Sequence, residues 1–484
     1  FSTASPFTNF TNLRFNKKVF SCFFMSALKS NQSANMRHLY RSLAALVIIT
    51  LWVQTSVAQE LPAYAITDVT IHNSDGSVME SATVVWRDGI IEAVGENVTV
   101  PFDAFVTSMG DSLHLYPGFI TGLATWGSPK PPRNLPKLDD PGNPPYDRAG
   151  IQPERVPTEL MEDDKSFESA MKAGFTTAAI GLDGNMLPGQ IQVLSLAPEI
   201  EDHELMNDYL GLQGSFDSAP GGWSSGAYPS TQMGVMATYR QLMYDAKALQ
   251  THIKYSQSNP EMPAPERNAV LESLFPLVNN TKPLYFEVDT KEDIERLFRL
   301  QDEFKWNIVI VSGKEAYAKA EELKSRKIPV LVSFDIADAP GWYKEEKKKA
   351  KKAESDTTDT EMKKEELSDE EQHFRDRQLK AWTMQAKNIR MLLDTGVKVG
   401  FTTQGTSFKN MAGKIEVLLD EGELTEEEII QIMTSGTAQI LGINKSFGKV
   451  AKGMNASFTL FDKPVFEKKS KAVSSVSNGT IHEF

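Results

Sequence analysis

Between Phe175 and Gly442 the chain repeats one pattern, a short apolar run followed by a stretch with helical spacing. The runs "FTTAAIGL" (Phe175 to Leu182), "GQIQVLSL" (Gly189 to Leu196), "PLYFEVDT", "NIVIVSG", "PVLVSF" and "VKVGFTT" are nearly continuous in apolar and β-prone residues. Strands of that kind need cover on both faces. The cover comes from segments such as "KEDIERLFRLQDEF", "KEAYAKAEELKSR" and "LTEEEIIQIMTSGTAQILG", whose apolar residues recur at helical spacing. Buried strands alternating with helices predict an α/β chain with a parallel sheet. At this length a (β/α)8 TIM-like barrel is the leading form. A doubly wound open sheet is the runner-up, but no G-x-G-x-x-G opens a strand-to-helix turn.

The flanks follow a different period. "AYAITDVTIH", "SATVVWRDGIIEAVG" and "HLYPG" alternate apolar and polar residues around Asp-Gly turns, and "GKVAKGMNASFTLFD" and "AVSSVSNGTIHEF" do the same at the other end. They predict a small β-sandwich built from both chain ends, residues 59–114 and 444–484, around a barrel at 115–443. One barrel segment breaks the pattern. Lys344 to Glu371 is almost purely charged, basic first and then acidic, and reads as a solvated helix or loop, with a docking surface as the alternative.

Residues 1–58 form a leader. From Met36, "MRHLYRSLAALVIITLWVQTSVAQE" carries a basic start, an apolar stretch from Leu43 to Val53, and small residues at Ser56 and Ala58 that favour cleavage before Gln59. The stretch is shorter than the ~20 residues of a membrane span. The expectation is a periplasmic or secreted protein with no membrane anchor after cleavage. The leader holds six Lys or Arg and no acids, so the remainder carries 45 basic and 64 acidic residues, a formal charge of -19. That acidity argues against nucleic acid as a partner. The one cysteine, Cys22, lies in the leader, which removes thiolates from any metal site in the mature chain.

Three stretches carry a family resemblance. "ITDVTIHNSDGSVMESATVVWRDGIIEAVGENVTVP" with "LYPGFI", "YPSTQMGVMATYRQLMYDA", and "GELTEEEIIQIMTSGTAQILGINKSFGKVAKGMNASFTLFD" resemble the amidohydrolase superfamily, specifically its imidazolonepropionase-like exported bacterial branch. The resemblance implies a barrel that holds a divalent metal, usually zinc, at the carboxyl ends of its strands, and that hydrolyses carbon–nitrogen bonds other than peptide bonds. The metal turns bound water into hydroxide near neutral pH. In such enzymes the first strand runs into an H-x-H pair, the fifth and sixth strands each deliver a histidine, and the eighth presents an aspartate. Here the matching positions hold Leu123, Thr125, Glu287 (or Asp289), Ser312 and Gln404, and Thr121 stands where an aspartate precedes the pair.

The other histidines do not compensate. His72, His114 and His482 belong to the flanks, and His203, His252 and His373 fall in polar stretches where a lone histidine reads as a surface residue, without H-x-H or H-x-x-x-H spacing. Acids are more promising. Asp183, Glu287, Asp289 and Asp335 sit at or just beyond strand ends, the catalytic side of such a barrel. They read either as caps on loop amides, or as acid, base or hard-cation ligands, with Glu287, Asp289 and Asp335 the catalytic candidates.

Two functional readings stay open. The favoured one is a catalytically degenerate barrel with no cofactor, acting as a binding or structural partner; a second amidohydrolase-like domain or subunit is its candidate partner, and the first half of a longer polypeptide is one form this could take. The other is an active hydrolase of cyclic amides or dipeptide-like substrates with a carboxylate-based site, for which a divalent metal such as zinc is the expected cofactor.

Overall fold

The computed structural model describes residues 61–484 except 109–112, 132–134, 222–224 and 356–366. The expected leader with its cleavage site, and the centre of the charged insert, lie outside the described residues. Strands β1 (Tyr64–His72), β2 (Val78–Arg87), β3 (Ile90–Gly95), β4 (Phe105–Ser108) and β5 (His114–Pro117) open the described chain. The Asp88-Gly89 turn between β2 and β3 has both residues left-handed, φ 51° and 71°, the backbone that matches strand twist in a two-residue hairpin.

The barrel strands follow: β6 (Phe119–Ala124), β7 (Phe175–Ile180), β8 (Gln190–Ser195), β9 (Glu204–Ser215), β10 (Leu284–Val288), β11 (Ile308–Ser312), β12 (Val330–Ser333) and β13 (Val399–Thr402). They pair in sequence order in one eight-stranded sheet. The apolar runs named from sequence each contain one of these strands. Missing from that reading is β9, whose outer half "ELMND" is too polar to stand out. One strand also departs from the parallel pattern: β8 runs antiparallel to both β7 and β9. Its connections, residues 181–189 and 196–203, hold no α-helix, and links that short suit antiparallel neighbours, not a parallel crossover. The remaining seven strands share one direction, so their carboxyl ends meet at one mouth.

Alternation of side chains divides two cores. Phe286, Ile308, Ile310, Val330 and Val332 pack outward with Ile294, Leu297 and Leu323 of the surrounding helices. Tyr285, Val309, Val311 and Leu331 pack inward with Ile120 and Leu123. The helix Lys291–Phe304 starts where Thr290 accepts a hydrogen bond from the Asp293 amide, and ends on left-handed Lys305. Between β6 and β13 side chains bridge the seam. Thr402 Oγ1 donates to the Leu123 carbonyl at 2.7 Å, and the Thr403 amide donates to Thr121 Oγ1 at 3.0 Å. The long C-terminal helix expected from sequence is broken by a π turn at Ile432–Gly436. There the chain crosses β13 so closely that a Cβ on Gly436 would lie 2.6 Å from the Val399 carbonyl.

Strands β14 (Phe458–Phe461), β15 (Ala472–Ser477) and β16 (Thr480–Glu483) return to the first sheet, in the order β16-β15-β14-β5-β1-β2-β3 with β4 on β1. Both chain ends therefore build one hydrogen-bonded sheet around Val69, Ile71, Trp86, Leu115, Phe458 and Leu460. The charged insert is helical where described, in Gly341–Ser355 and in Asp369–Ala386, the latter capped by Ser368. It is not wholly free of the barrel: Glu421 accepts hydrogen bonds from Tyr343 Oη at 2.9 Å and from Lys347. No helix among the described residues is long and apolar enough to cross a membrane.

Candidate active site at the barrel mouth

Glu287 lies two residues beyond Tyr285 on β10 and so shares its inward face. In register with it are Ser215 of β9 and Val311 of β11. Its Oε2 accepts a hydrogen bond of 3.1 Å from Gln404 Nε2, delivered by the loop after β13 from 117 residues away. Burial, and then the nearby carboxylates of Asp217 and Asp289, push the Glu287 carboxyl up to about 7, while the Gln404 amide and Lys314 oppose them. A carboxyl so placed exchanges its proton near neutrality, as a general acid or base must.

Beside it stands an ion-paired group that sequence reasoning missed. Lys314 follows the kink at Ser312 and Gly313, both left-handed with φ 75° and 56°. For Ser312 this backbone is strained by about 1 kcal/mol or more, tolerated at functional and switch positions. The Lys314 ammonium lies 3.0 Å from Asp335 Oδ2 and 3.5 Å from Asp289 Oδ2. Burial works to lower its pKa, but the hydrogen bond to Asp335 and the charges of Asp289 and Asp335 prevail and raise it. Asp335 is oriented in turn by its own amide, which donates to Ser333 Oγ at 3.1 Å, and Ser333 Oγ donates to the Gln404 carbonyl at 2.8 Å.

The structure thus joins Glu287, Asp289 and Asp335 with Asp217, Lys314 and Gln404. Asp183 stays apart: its amide is held by Ser128 Oγ at 2.7 Å, and no hydrogen bond or ion pair links it to the cluster. Lys314 and Asp217 had the same signal as the acids, a position just past a strand end, but the lysine is cationic and Asp217 follows the unrecognised β9. Of the positions matched to metal ligands, Leu123 is fully buried in the inner apolar core and Ser312 is buried, while Thr125 is half-buried. Neither Leu123 nor Thr125 carries a zinc-binding nitrogen or carboxylate. Among the described residues no group of three or more His, Cys, Asp or Glu is placed to hold a metal ion. The donor set does not fit a zinc site of the kind the resemblance implies.

The histidines have other neighbours. His72 Nε2 and His114 Nδ1 are hydrogen-bonded at 2.9 Å, with His72 stacked on Tyr116. His203 is not the surface residue expected from its polar surroundings. It packs edge-on against Phe167, its Nδ1 accepts from the Ala197 amide at 3.0 Å, and burial lowers its pKa to about 4 against the opposing charge of Asp202. The expectation failed because "PEIEDHE" is polar, while the short helical turn Ile200–Asp202 folds the ring inward.

Residues 305–482 match the amidohydrolase family. An amidohydrolase from Thermotoga maritima MSB8 superposes with a TM-score of 0.66 at 20% identity, over 87% of this chain and 100% of that one. A prolidase solved with N-methylphosphonate-L-proline has a TM-score of 0.49 at 12% identity, over 87% and 99% of the two chains. No curated protein matches by sequence. The chain has a TIM-like barrel and a small β-domain, and its fold is similar to that of the Thermotoga maritima amidohydrolase. The sequence match is confined to residues 305–482, and over the rest of the chain the likeness is one of fold.

Proposed function

We propose that this chain is an exported member of the imidazolonepropionase-like branch whose barrel binds a partner or ligand and no longer hydrolyses amides through a metal. The observation that carries the reading is the Glu287–Gln404 contact. An amide, which neither ionises nor shuttles a proton, stands where hydrolysis would need a carboxylate, and it is already engaged with the inward-facing Glu287. Leu123, sealed in the inner core, supports it from the opposite side of the mouth. A second amidohydrolase-like domain or subunit is the partner we favour.

A second reading has its own support. A carboxyl raised to about 7 beside two other acids and a lysine is the electrostatic signature of a working acid–base group. Elemental analysis of the purified protein and an assay on cyclic amides and dipeptides separate the two. The binding reading expects no stoichiometric transition metal, no hydrolysis above background, and no recovery with Gln404→Asp. Stoichiometric metal, with hydrolysis abolished by Glu287→Gln or Asp289→Asn, would establish a carboxylate-based hydrolase instead.

A further inference from the structure

The donor set does not fit zinc, yet the mouth still gathers carboxylates from successive strand ends, and a cation between closely spaced carboxylates relieves their repulsion. We propose that Lys314 is that cation: its ammonium occupies the place of a divalent ion and holds the ends of β10, β11 and β12 together. The inference rests on the metal-free reading of the site. Asp289 follows β10, Lys314 follows β11 and Asp335 follows β12, so the ammonium is centred between acids from the two strands that flank its own. At 3.0 and 3.5 Å it bridges both, as a bound metal would, but with one positive charge in place of two.

The backbone is arranged for this bridge. The consecutive left-handed residues Ser312 and Gly313 turn the chain out of the strand, and the Gly313 amide is fixed on the Val288 carbonyl at 2.9 Å. Glu315 continues the attachment, its amide donating to the Asp289 carbonyl at 2.8 Å. The segment that carries Lys314 is therefore fastened on both sides to β10 and the loop holding Asp289. A lysine at the mouth with a merely solvating role would need neither the strained serine nor this double attachment.

If the ammonium substitutes for an ion, removing it creates a vacancy for hard, oxygen-seeking cations. Thermal unfolding is followed for the wild type, Lys314→Met and Lys314→Arg with and without millimolar Mn²⁺ or Ca²⁺, with Lys314→Gln in reserve if the methionine variant does not fold. The expected result is a rise in the unfolding midpoint on the order of 3 °C or more for the neutral variant. The wild type and Lys314→Arg should not shift, and adding Asp289→Asn and Asp335→Asn to the neutral variant should abolish the response. A neutral variant no more responsive than wild type overturns the inference while leaving the metal-free reading intact. Stoichiometric metal in the wild type overturns both.

Discussion

Glu287→Gln should make the protein more stable at mildly alkaline pH, although it removes a buried group from the candidate site. The carboxyl stands at about 7 in the folded protein against an ordinary value of 4.5, because burial and the neighbouring charges of Asp217 and Asp289 disfavour its ionised form. Below about pH 4.5 it is protonated whether the chain is folded or not, and it has no effect on stability. Between about pH 4.5 and 7 the unfolded chain releases the proton while the folded chain keeps it, so stability falls as pH rises. Above 7 the penalty is complete. At about 1.4 kcal/mol per pKa unit the shift corresponds to about 3 kcal/mol, an order-of-magnitude figure for a group with several charged neighbours. Glutamine keeps the length of the side chain and an oxygen for the Gln404 amide, but cannot ionise. Urea unfolding of both proteins from about pH 4.5 to about pH 8 should show the variant gaining on the wild type through this window. Other titrating groups are common to both proteins and cancel to first order in the difference. Profiles that stay parallel across the window would refute the raised pKa, and with it the case for Glu287 as an acid–base group.

His203 should act in the opposite direction. Its folded pKa is depressed from 6.5 to about 4 by burial, so the stability it contributes is present above about pH 6.5 and lost as pH falls through about 4. His203→Asn, which keeps an acceptor for the Ala197 amide, should flatten that acid limb in the same urea measurement, and an unchanged limb would show that the ring is not buried neutral. In the charged insert, replacing residues 351–366 with a short Gly/Ser linker should change stability by less than about 1 kcal/mol, since loop length enters only logarithmically. The Tyr343 and Lys347 contacts to Glu421 are retained in that variant, so a large loss would mean that the replaced segment itself packs on the barrel.

Most of the fold could be read from period alone. Strands such as "NIVIVSG" and "PVLVSF" are apolar enough to require burial on both faces, and the Asp88-Gly89 hairpin announces itself by the one residue pair that suits its turn. What escaped was decided by neighbours distant in sequence. β9 enters the sheet as a long strand despite its polar outer half, because β8 and β10 flank it. β8 reverses because its connections are too short for a crossover, a property of the links and not of the strand. The Ile432–Gly436 π turn arises where a helix passes within touching distance of β13, which no local propensity records.

At the mouth the limit of sequence reading was of another kind. At the positions that the resemblance matches to ligands the side chains could be read one by one, and the strand-end rule picked out Glu287, Asp289 and Asp335 for their position. Absence, however, does not say what stands in the vacated space. The answer depends on an amide 117 residues from Glu287 and on a lysine whose direction is set by two left-handed residues. The barrel brings the carboxyl ends of its seven parallel strands to the same mouth regardless of what each carries. The acids gathered there must be protonated, dispersed or given a cation, and this chain combines the first and third solutions. Glu287 is held partly protonated near neutral pH and bound by an amide, while Asp289 and Asp335 share Lys314. Returning one ligand at a time, as in Gln404→Asp, should therefore fail to rebuild a zinc site, because Leu123 and Thr125 would still offer no donor and Lys314 would still lie between Asp289 and Asp335.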